Sequence, residues 1–305
     1  MAHMKKPLTG FIGQGFIGKN YADDFERRGF PIVRYARSAP YNVNKEKIAS
    51  CPFVFIAVPT PTTERGFDYS VVQEVLALVG KGTVAVIKST TLPGTTESLQ
   101  KQYTDIVVLH SPEFLAEATA THDASHPERN IIGVPVDDVP HNKAAKHVLS
   151  MLPKAPFNLV CSSRESELIK YAGNAFLYLK VVFANILYDM AQKEGADWGV
   201  LTSAIGADAR IGPSHLAVVH SSGHKGALSG RGAGGHCFIK DFSALRSLYQ
   251  ARFPNEKKGL RVLTALECKN NDLLTQSGKD LDLLKGVYGE NPDAPCDPVR
   301  DLRKL

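Results

Sequence analysis

Lys6-Pro7-Leu8-Thr9-Gly10-Phe11-Ile12-Gly13-Gln14-Gly15-Phe16-Ile17-Gly18 is the stretch that decides the fold. A short, fairly apolar segment from Lys6 to Ile12 runs straight into three glycines with the spacing G-x-G-x-x-G. A periodic segment follows through Tyr21, Phe25 and Gly29, and Pro31 to Tyr35 reads as a second strand. Strand, glycine turn, helix, strand is the order that a dinucleotide-binding unit requires. Gly13 allows the tight turn, Gly15 lets the backbone approach a pyrophosphate, and Gly18 allows close helix–strand packing. Phosphate charge then meets the free N–H groups of the helix start, beside Phe16 and Ile17. A glycine triplet alone is a weak signal, and its bland reading is a turn with no ligand. The flanking strands and helix give this one its weight.

The end of the second strand reads Tyr35-Ala36-Arg37-Ser38 and lacks an acid. Asp or Glu there would accept from the ribose 2′-hydroxyl of NAD, whereas Arg37 with Ser38 could face the 2′-phosphate of NADP. Both cofactors stay open on this point, as does a plain solvated Arg37.

Further strands are expected at 52–58, 83–88, 106–110, 131–134 and 157–160, with helices at 68–79 and 144–151. Pro52 to Val58 is nearly all apolar, as suits a parallel strand covered on both faces. The strands end in polar turns, Pro59-Thr60-Pro61-Thr62-Thr63 and Ser89-Thr90-Thr91. Hydroxyls there can cap the next helix, but this edge is also where open α/β sheets bind ligands. The expected class is α/β, with a Rossmann-like domain over residues 5–162.

A long helix is expected from Glu165 to Glu194, roughly 45 Å of rod. Leu168, Ala172, Ala175, Leu179, Val182, Ile186 and Met190 form an apolar stripe at helical spacing. A second face carries Lys170, Asn174 and Asn185. This helix opens a mainly helical domain over 163–285, with further helices at 198–204 and 260–274. Residues 221–235 hold six glycines. Such backbone is costly to order, so binding and disorder are the two readings. Residues 286–305 read as an extended tail.

The 305 residues suffice for two domains. A net charge of +5, mixed along the chain, argues against nucleic acid and suits an anionic small ligand. No apolar run reaches membrane-spanning length. Met1-Ala2-His3-Met4 reads as a tag remnant. The five cysteines are widely spaced, odd in number and form no CxxC pair. That points to a reduced, cytoplasmic compartment without structural zinc. The histidines form no metal-binding pattern, so no metal is expected.

Several motifs, in order, then carry a resemblance. They are the glycine turn at 13–18, Val58-Pro59-Thr60-Pro61, Ser89-Thr90 with Pro93-Gly94, and Ser111-Pro112-Glu113-Phe114-Leu115-Ala116-Glu117. Glu167 with Lys170 and Asn174 follows, then Gly234-Gly235-His236-Cys237-Phe238-Ile239-Lys240-Asp241. Over nearly its whole length the chain resembles the nucleotide-sugar dehydrogenases, typified by UDP-glucose 6-dehydrogenase. It departs from their pattern at Ala118, Ile186 and Ile239, and it stops where their C-terminal nucleotide-binding domain would begin, so a short form is expected.

The resemblance implies a four-electron oxidation of a primary alcohol to a carboxylate, with NAD as cofactor and NADP as the alternative. It makes Cys237 the nucleophile that forms a thiohemiacetal and then a thioester. Lys170 and Asn174 stabilise oxyanion charge, Glu117 serves thioester hydrolysis, and Thr90 and Asp241 hold a water and move protons. Pro59, Thr60, Thr90 and Glu117 join Gly13, Gly15, Phe16, Ile17, Gly18 and Arg37 as cofactor contacts. Phe114, Leu115, Lys170, Asn174, Arg210, Gly234 and Lys240 are the substrate contacts. The long helix is expected to build a homodimer. Chemistry agrees: cations favour a thiolate, and Lys170 and Asn174, one helical turn apart, can face one oxygen. The competing readings are the same chemistry on a smaller alcohol or nucleoside, and a non-catalytic dinucleotide-binding protein.

Overall fold

The computed structural model describes residues 6–224, 226–293 and 296. The chain begins with β1 (Thr9–Ile12), α1 (Phe16–Arg27) and β2 (Ile32–Tyr35), then a 3-10 helix (Tyr41–Ser50) and β3 (Phe53–Ile56). A short hairpin, β4 (Thr62–Thr63) and β5 (Gly66–Phe67), precedes α2 (Ser70–Leu76), β6 (Val84–Ile87), α3 (Thr95–Gln102) and β7 (Val107–His110). Next come α4 (Ala120–Ser125), β8 (Arg129–Val134), α5 (Val139–Met151) and β9 (Phe157–Ser162). The remainder is helical: α6 (Ser163–Glu194), α7 (Trp198–Ala207), α8 (Gly235–Arg252), α9 (Lys257–Ser277) and α10 (Leu281–Tyr288).

Contacts divide the chain into two compact units: Met1–Thr60 with Asp68–Lys170, and Pro61–Phe67 with Tyr171–Leu305. In the first, seven strands form one sheet in the order β2-β1-β3-β6-β7-β8-β9. All neighbours are parallel except β7 and β8. The Rossmann-like α/β class expected from the glycine turn is therefore present. Strand alternation sends Phe53 and Phe55 to one face and Val54 and Ile56 to the other, and each face has its own core. On the first face Phe11 stacks on Phe55 with ring centroids 5.3 Å apart, and Phe25 meets both edge-on. Burying each such side chain contributes about 1.5–3 kcal/mol. Chain order reverses direction at β1, flanked by β2 and β3, so a crevice opens at its carboxyl end, where the glycine turn lies.

In the second unit Tyr178, Val181 and Val182 of α6 pack with Ala233 and Phe242. Tyr178 and Phe242 stack with centroids 3.9 Å apart. A second cluster joins Ile239, Leu274, Leu284, Val287 and Tyr288.

The apolar stripe read along the long helix is largely exposed: Leu168, Leu179, Ile186 and Met190 face outward, and only Val182 is fully buried. The buried face instead carries Glu167, Lys170 and Asn185 between Tyr171, Tyr178 and Val181. Polar groups can occupy it because each is hydrogen-bonded; Asn185, for example, takes Arg231 Nε at 2.8 Å and donates to Val181 O at 2.9 Å. The sequence reading placed no helix at Cys237; α8 runs 18 residues there, from Gly235 to Arg252, hidden because it starts on glycine without a side-chain cap. Two readings are corrected. Gly286 to Tyr288 finish α10, which buries Leu284, Val287 and Tyr288, and do not begin an extended tail. The rest of that tail from 294 onward, Cys296 excepted, lies outside the described residues, as does the tag-like opening. The cysteines, too, are not all thiols, since Cys268 and Cys296 form a disulfide. Among the described residues no helix is long and apolar enough to cross a membrane.

Candidate active site

The glycine turn has the shape its sequence calls for. Gly13 takes φ +90°, and a Cβ there would lie 2.1 Å from Ala57 O. A Cβ on Gly18 would lie 2.0 Å from Gly13 O. Around Gly15, by contrast, the space a Cβ would enter is open for 4 Å. Gly15 also caps α1 without a side-chain bond, and the first turn holds no acid. Phe16 and Ile17 thus open a helix whose N–H groups are presented without a competing carboxylate. This cradle fits the pyrophosphate of a dinucleotide.

The turns beside it are stitched together. Ser89 Oγ accepts from Val58 N at 2.9 Å and donates to Val58 O at 2.7 Å. Thr60 Oγ1 donates to Thr90 O at 2.7 Å. Pro59-Thr60 and Ser89-Thr90 therefore share one buried polar seam at the carboxyl edge of the sheet. Arg37 lies exposed and ion-paired with Glu74, so its guanidinium already has a carboxylate partner.

Deeper in the same unit, Lys170 and Glu113 form an ion pair of 2.6 Å with side chains only 4% and 1% exposed. Lys170 Nζ also donates to Glu113 O at 2.7 Å, and Leu115 N donates to Glu113 Oε2 at 2.9 Å. The Phe114 ring lies beneath the Arg129 guanidinium at 3.9 Å, with Lys170 Nζ 5.8 Å from its centroid. Four residues before Glu117, Glu113 has the spacing of a solvated helix start. It is instead buried in non-helical chain. Glu117 sits half-buried in the turn before α4.

Two groups in this cluster escaped the sequence reading. Lys88 is buried directly after the four apolar residues of β6, donates to Ser111 Oγ at 3.1 Å and lies 4.2 Å over the Tyr21 ring. Burial pushes its pKa down to about 7; Glu113 opposes the shift and Lys170 adds to it. A charge flush against an apolar strand end is the signal that could have exposed it. Glu167, quoted above only as a motif residue, is fully buried. It accepts from Gly94 N at 2.6 Å, Thr96 N at 2.8 Å, Thr96 Oγ1 at 2.7 Å and Thr91 Oγ1 at 3.2 Å. One carboxylate thus ties the turn after Thr90 to the start of α6, three residues before Lys170.

In the second unit, Cys237 occupies the first turn of α8 and is half-buried behind Gly234, the N-cap, and Gly235 at φ +83°. One turn on, the buried Asp241 gathers two expected residues: Asn174 Nδ2 donates to it at 2.6 Å and Lys240 Nζ pairs with it at 2.5 Å. Arg210 stands apart from them, its side chain 89% exposed and paired with Asp208 of its own loop at 2.6 Å.

Residues 35–150 match the NAD binding domain of the UDP-glucose/GDP-mannose dehydrogenase family, and residues 164–271 match its central domain. A UDP-glucose 6-dehydrogenase of Rhizobium meliloti is 36% identical over 66% of this chain and 46% of its own length. One from Rickettsia prowazekii is 31% identical over 76% of this chain and 52% of its own length. The chain therefore spans about half the length of the curated relatives it matches. Among solved structures, a UDP-glucose dehydrogenase from Pyrobaculum islandicum superposes with a TM-score of 0.73 at 27% identity, covering 87% of this chain and 69% of that one. With both family domains following one another along its length, the chain belongs to the UDP-glucose/GDP-mannose dehydrogenase family.

Proposed function

We propose that the chain oxidises the primary alcohol of a nucleotide sugar, UDP-glucose first among them, to the carboxylate with two equivalents of NAD. The observation that carries this reading is the Asn174–Asp241–Lys240 cluster one helical turn beyond Cys237. It supplies hydrogen-bonding and charged groups beside a half-buried thiol at a helix start, where a thiolate is favoured. NAD, held by Gly13, Gly15, Phe16, Ile17 and Gly18, supplies the hydride acceptance of both oxidation steps.

The residues then divide the remaining work. Cys237 Sγ adds to the carbon of the aldehyde as a thiolate, and the new oxyanion of the thiohemiacetal is met by Lys170 and Asn174. Oxidation of that adduct gives a thioester. Glu117 takes a proton from water as it attacks the thioester carbon, and the carboxylate leaves as the sulfur regains its charge. Thr90 and Asp241 hold a water for the alcohol proton, and Lys240 steadies the substrate. NAD is favoured over NADP because Arg37, the cation that could meet a 2′-phosphate, is paired with Glu74. A reducing, cytoplasmic setting keeps Cys237 a thiol, with the Cys268–Cys296 bond the exception.

The test is nicotinamide absorbance with NAD and NADP in parallel, on UDP-glucose and on a panel of small primary alcohols. Faster reduction of NAD with UDP-glucose is expected. Turnover of the small alcohols alone would overturn the substrate assignment.

The same reading makes the chain a homodimer through α6. Phe176 is 70% exposed and Met190 60% exposed, with Leu179, Phe183 and Ile186 between them on one stripe. A contiguous apolar stripe of this kind marks an interaction surface. Light scattering at micromolar concentration is expected to give twice the chain mass, falling to the single mass in Phe176→Glu/Phe183→Glu. A single mass for the unaltered chain would refute the dimer.

A further inference from the structure

The glycine segment that leads into Cys237 is pressed against one corner of the chain, where α9 gives way to α10. A Cβ on Gly230 would lie 2.6 Å from Ser277 Oγ and 2.8 Å from Lys279 Cβ; one on Gly234 would lie 2.1 Å from Asp280 Oδ2. These glycines are therefore required by packing, not by flexibility. Lys279 is fully buried and Asp280 nearly so. Lys279 Nζ donates to Gly232 O at 2.9 Å and lies 3.1 Å from His220 Nε2. The Asp280 carboxylate accepts from Ser222 Oγ, from Gly235 N at 2.8 Å, and pairs with His224 Nε2 at 2.9 Å. Asp280 itself sits at φ +52°, a left-handed conformation that costs a residue with a Cβ and persists where its surroundings hold it.

We propose that the Lys279–Asp280 corner is a positioning element for Cys237: it fixes the glycine segment that starts α8 and sets the charge at the thiol. This rests on Cys237 being the nucleophile. Gly235 N–H belongs to the first residue of α8, two before Cys237, so Asp280 places a negative charge at the helix end that would otherwise favour a thiolate. Lys279 places a positive charge beside it. The pair balances, and the thiol feels the difference. Other titratable groups around the corner are His220 and His224 on the glycine segment and His236, Lys240 and Asp241 on α8, with His236 and His224 ring centroids 5.1 Å apart. Burial pushes Lys279 down to about 8, against the pull of Asp280, which leaves it mostly charged at pH 7. Burial works to raise Asp280, but the bonds from Ser222, His224 and Gly235 outweigh it and hold the carboxyl below its usual range.

The experiment is iodoacetamide alkylation of Cys237 in the full chain, followed by peptide mass spectrometry across a pH series, in the unaltered protein, Asp280→Asn and Lys279→Met. Asp280→Asn removes the negative charge and is expected to lower the thiol midpoint, speeding alkylation at pH 7 about three- to tenfold, or ~0.5–1 pH unit. Lys279→Met is expected to raise the midpoint and slow alkylation by a similar factor. A merely structural corner would move both variants in the same direction or neither, and that result overturns the proposal. Asp280→Asn keeps the side-chain shape, so its sign alone decides should Lys279→Met fail to fold. Because the readout is thiol chemistry and not turnover, inactivity of the unaltered chain on nucleotide sugars would sink the proposed function without deciding this test.

Discussion

Cys237→Ala is expected to lower carboxylate formation by at least ~10³-fold, about 4 kcal/mol of barrier, with NAD binding unchanged. Two features make the effect large. A thiol converts a free aldehyde, which must hydrate before it can lose a second hydride, into a covalent adduct already able to lose one. The half-buried position of Cys237 in the first turn of an 18-residue helix also sets its sulfur at the positive end of the helix dipole, which favours the ionised nucleophile. Coenzyme binding should survive because the glycine cradle belongs to the other unit of the chain. Chromatography of quenched reactions separates acid from aldehyde, and calorimetry reads NAD affinity. Acid production within about tenfold of the unaltered protein would exclude a thioester path.

Lys170→Met carries the second large effect, and it has two parts. Removing an oxyanion donor costs ~10²–10³ in turnover. Removing one partner of a buried ion pair leaves Glu113, 1% exposed, without its nearest cation, a loss of about 3–5 kcal/mol in stability. Lys88 should hold the loss toward the lower figure. Its charged form is already favoured by Glu113 and opposed by Lys170, so loss of Lys170 lets Lys88 take up the counterion role. Adding Glu113→Gln separates the two parts. Urea unfolding is expected to show stability partly recovered in the double variant while turnover stays low. Recovery of turnover as well would reduce Lys170 to a structural partner.

The sequence made some of this legible and hid the rest for identifiable reasons. The cradle was readable because its chemistry is local: Gly13, Gly15 and Gly18 share one short turn, close backbone contacts require Gly13 and Gly18, and the space beside Gly15 is left open. β3 and β6 were readable because strands covered on both faces are apolar throughout. Helix α6 was found, but its buried face, with Glu167, Lys170 and Asn185, was not. Spacing identifies a stripe, yet only partners far along the chain decide which stripe is buried. Glu167 meets Thr96, 71 residues away, and Lys170 meets Glu113, 57 residues away. The role of the Lys279–Asp280 corner was invisible for the same reason, since Gly235 and Asp280 are 45 residues apart. Residues of the candidate site were named from ordered motifs; what holds them in place came only from the structure.

The most direct test of the central claim is the ratio of NAD reduced to UDP-glucose consumed, measured to completion in one cuvette with the sugar product identified by mass. A ratio of two, with uronate as product, is what a four-electron oxidation through Cys237 requires. A ratio of one, with aldehyde released, would contradict it and leave an ordinary two-electron alcohol dehydrogenase on the same fold.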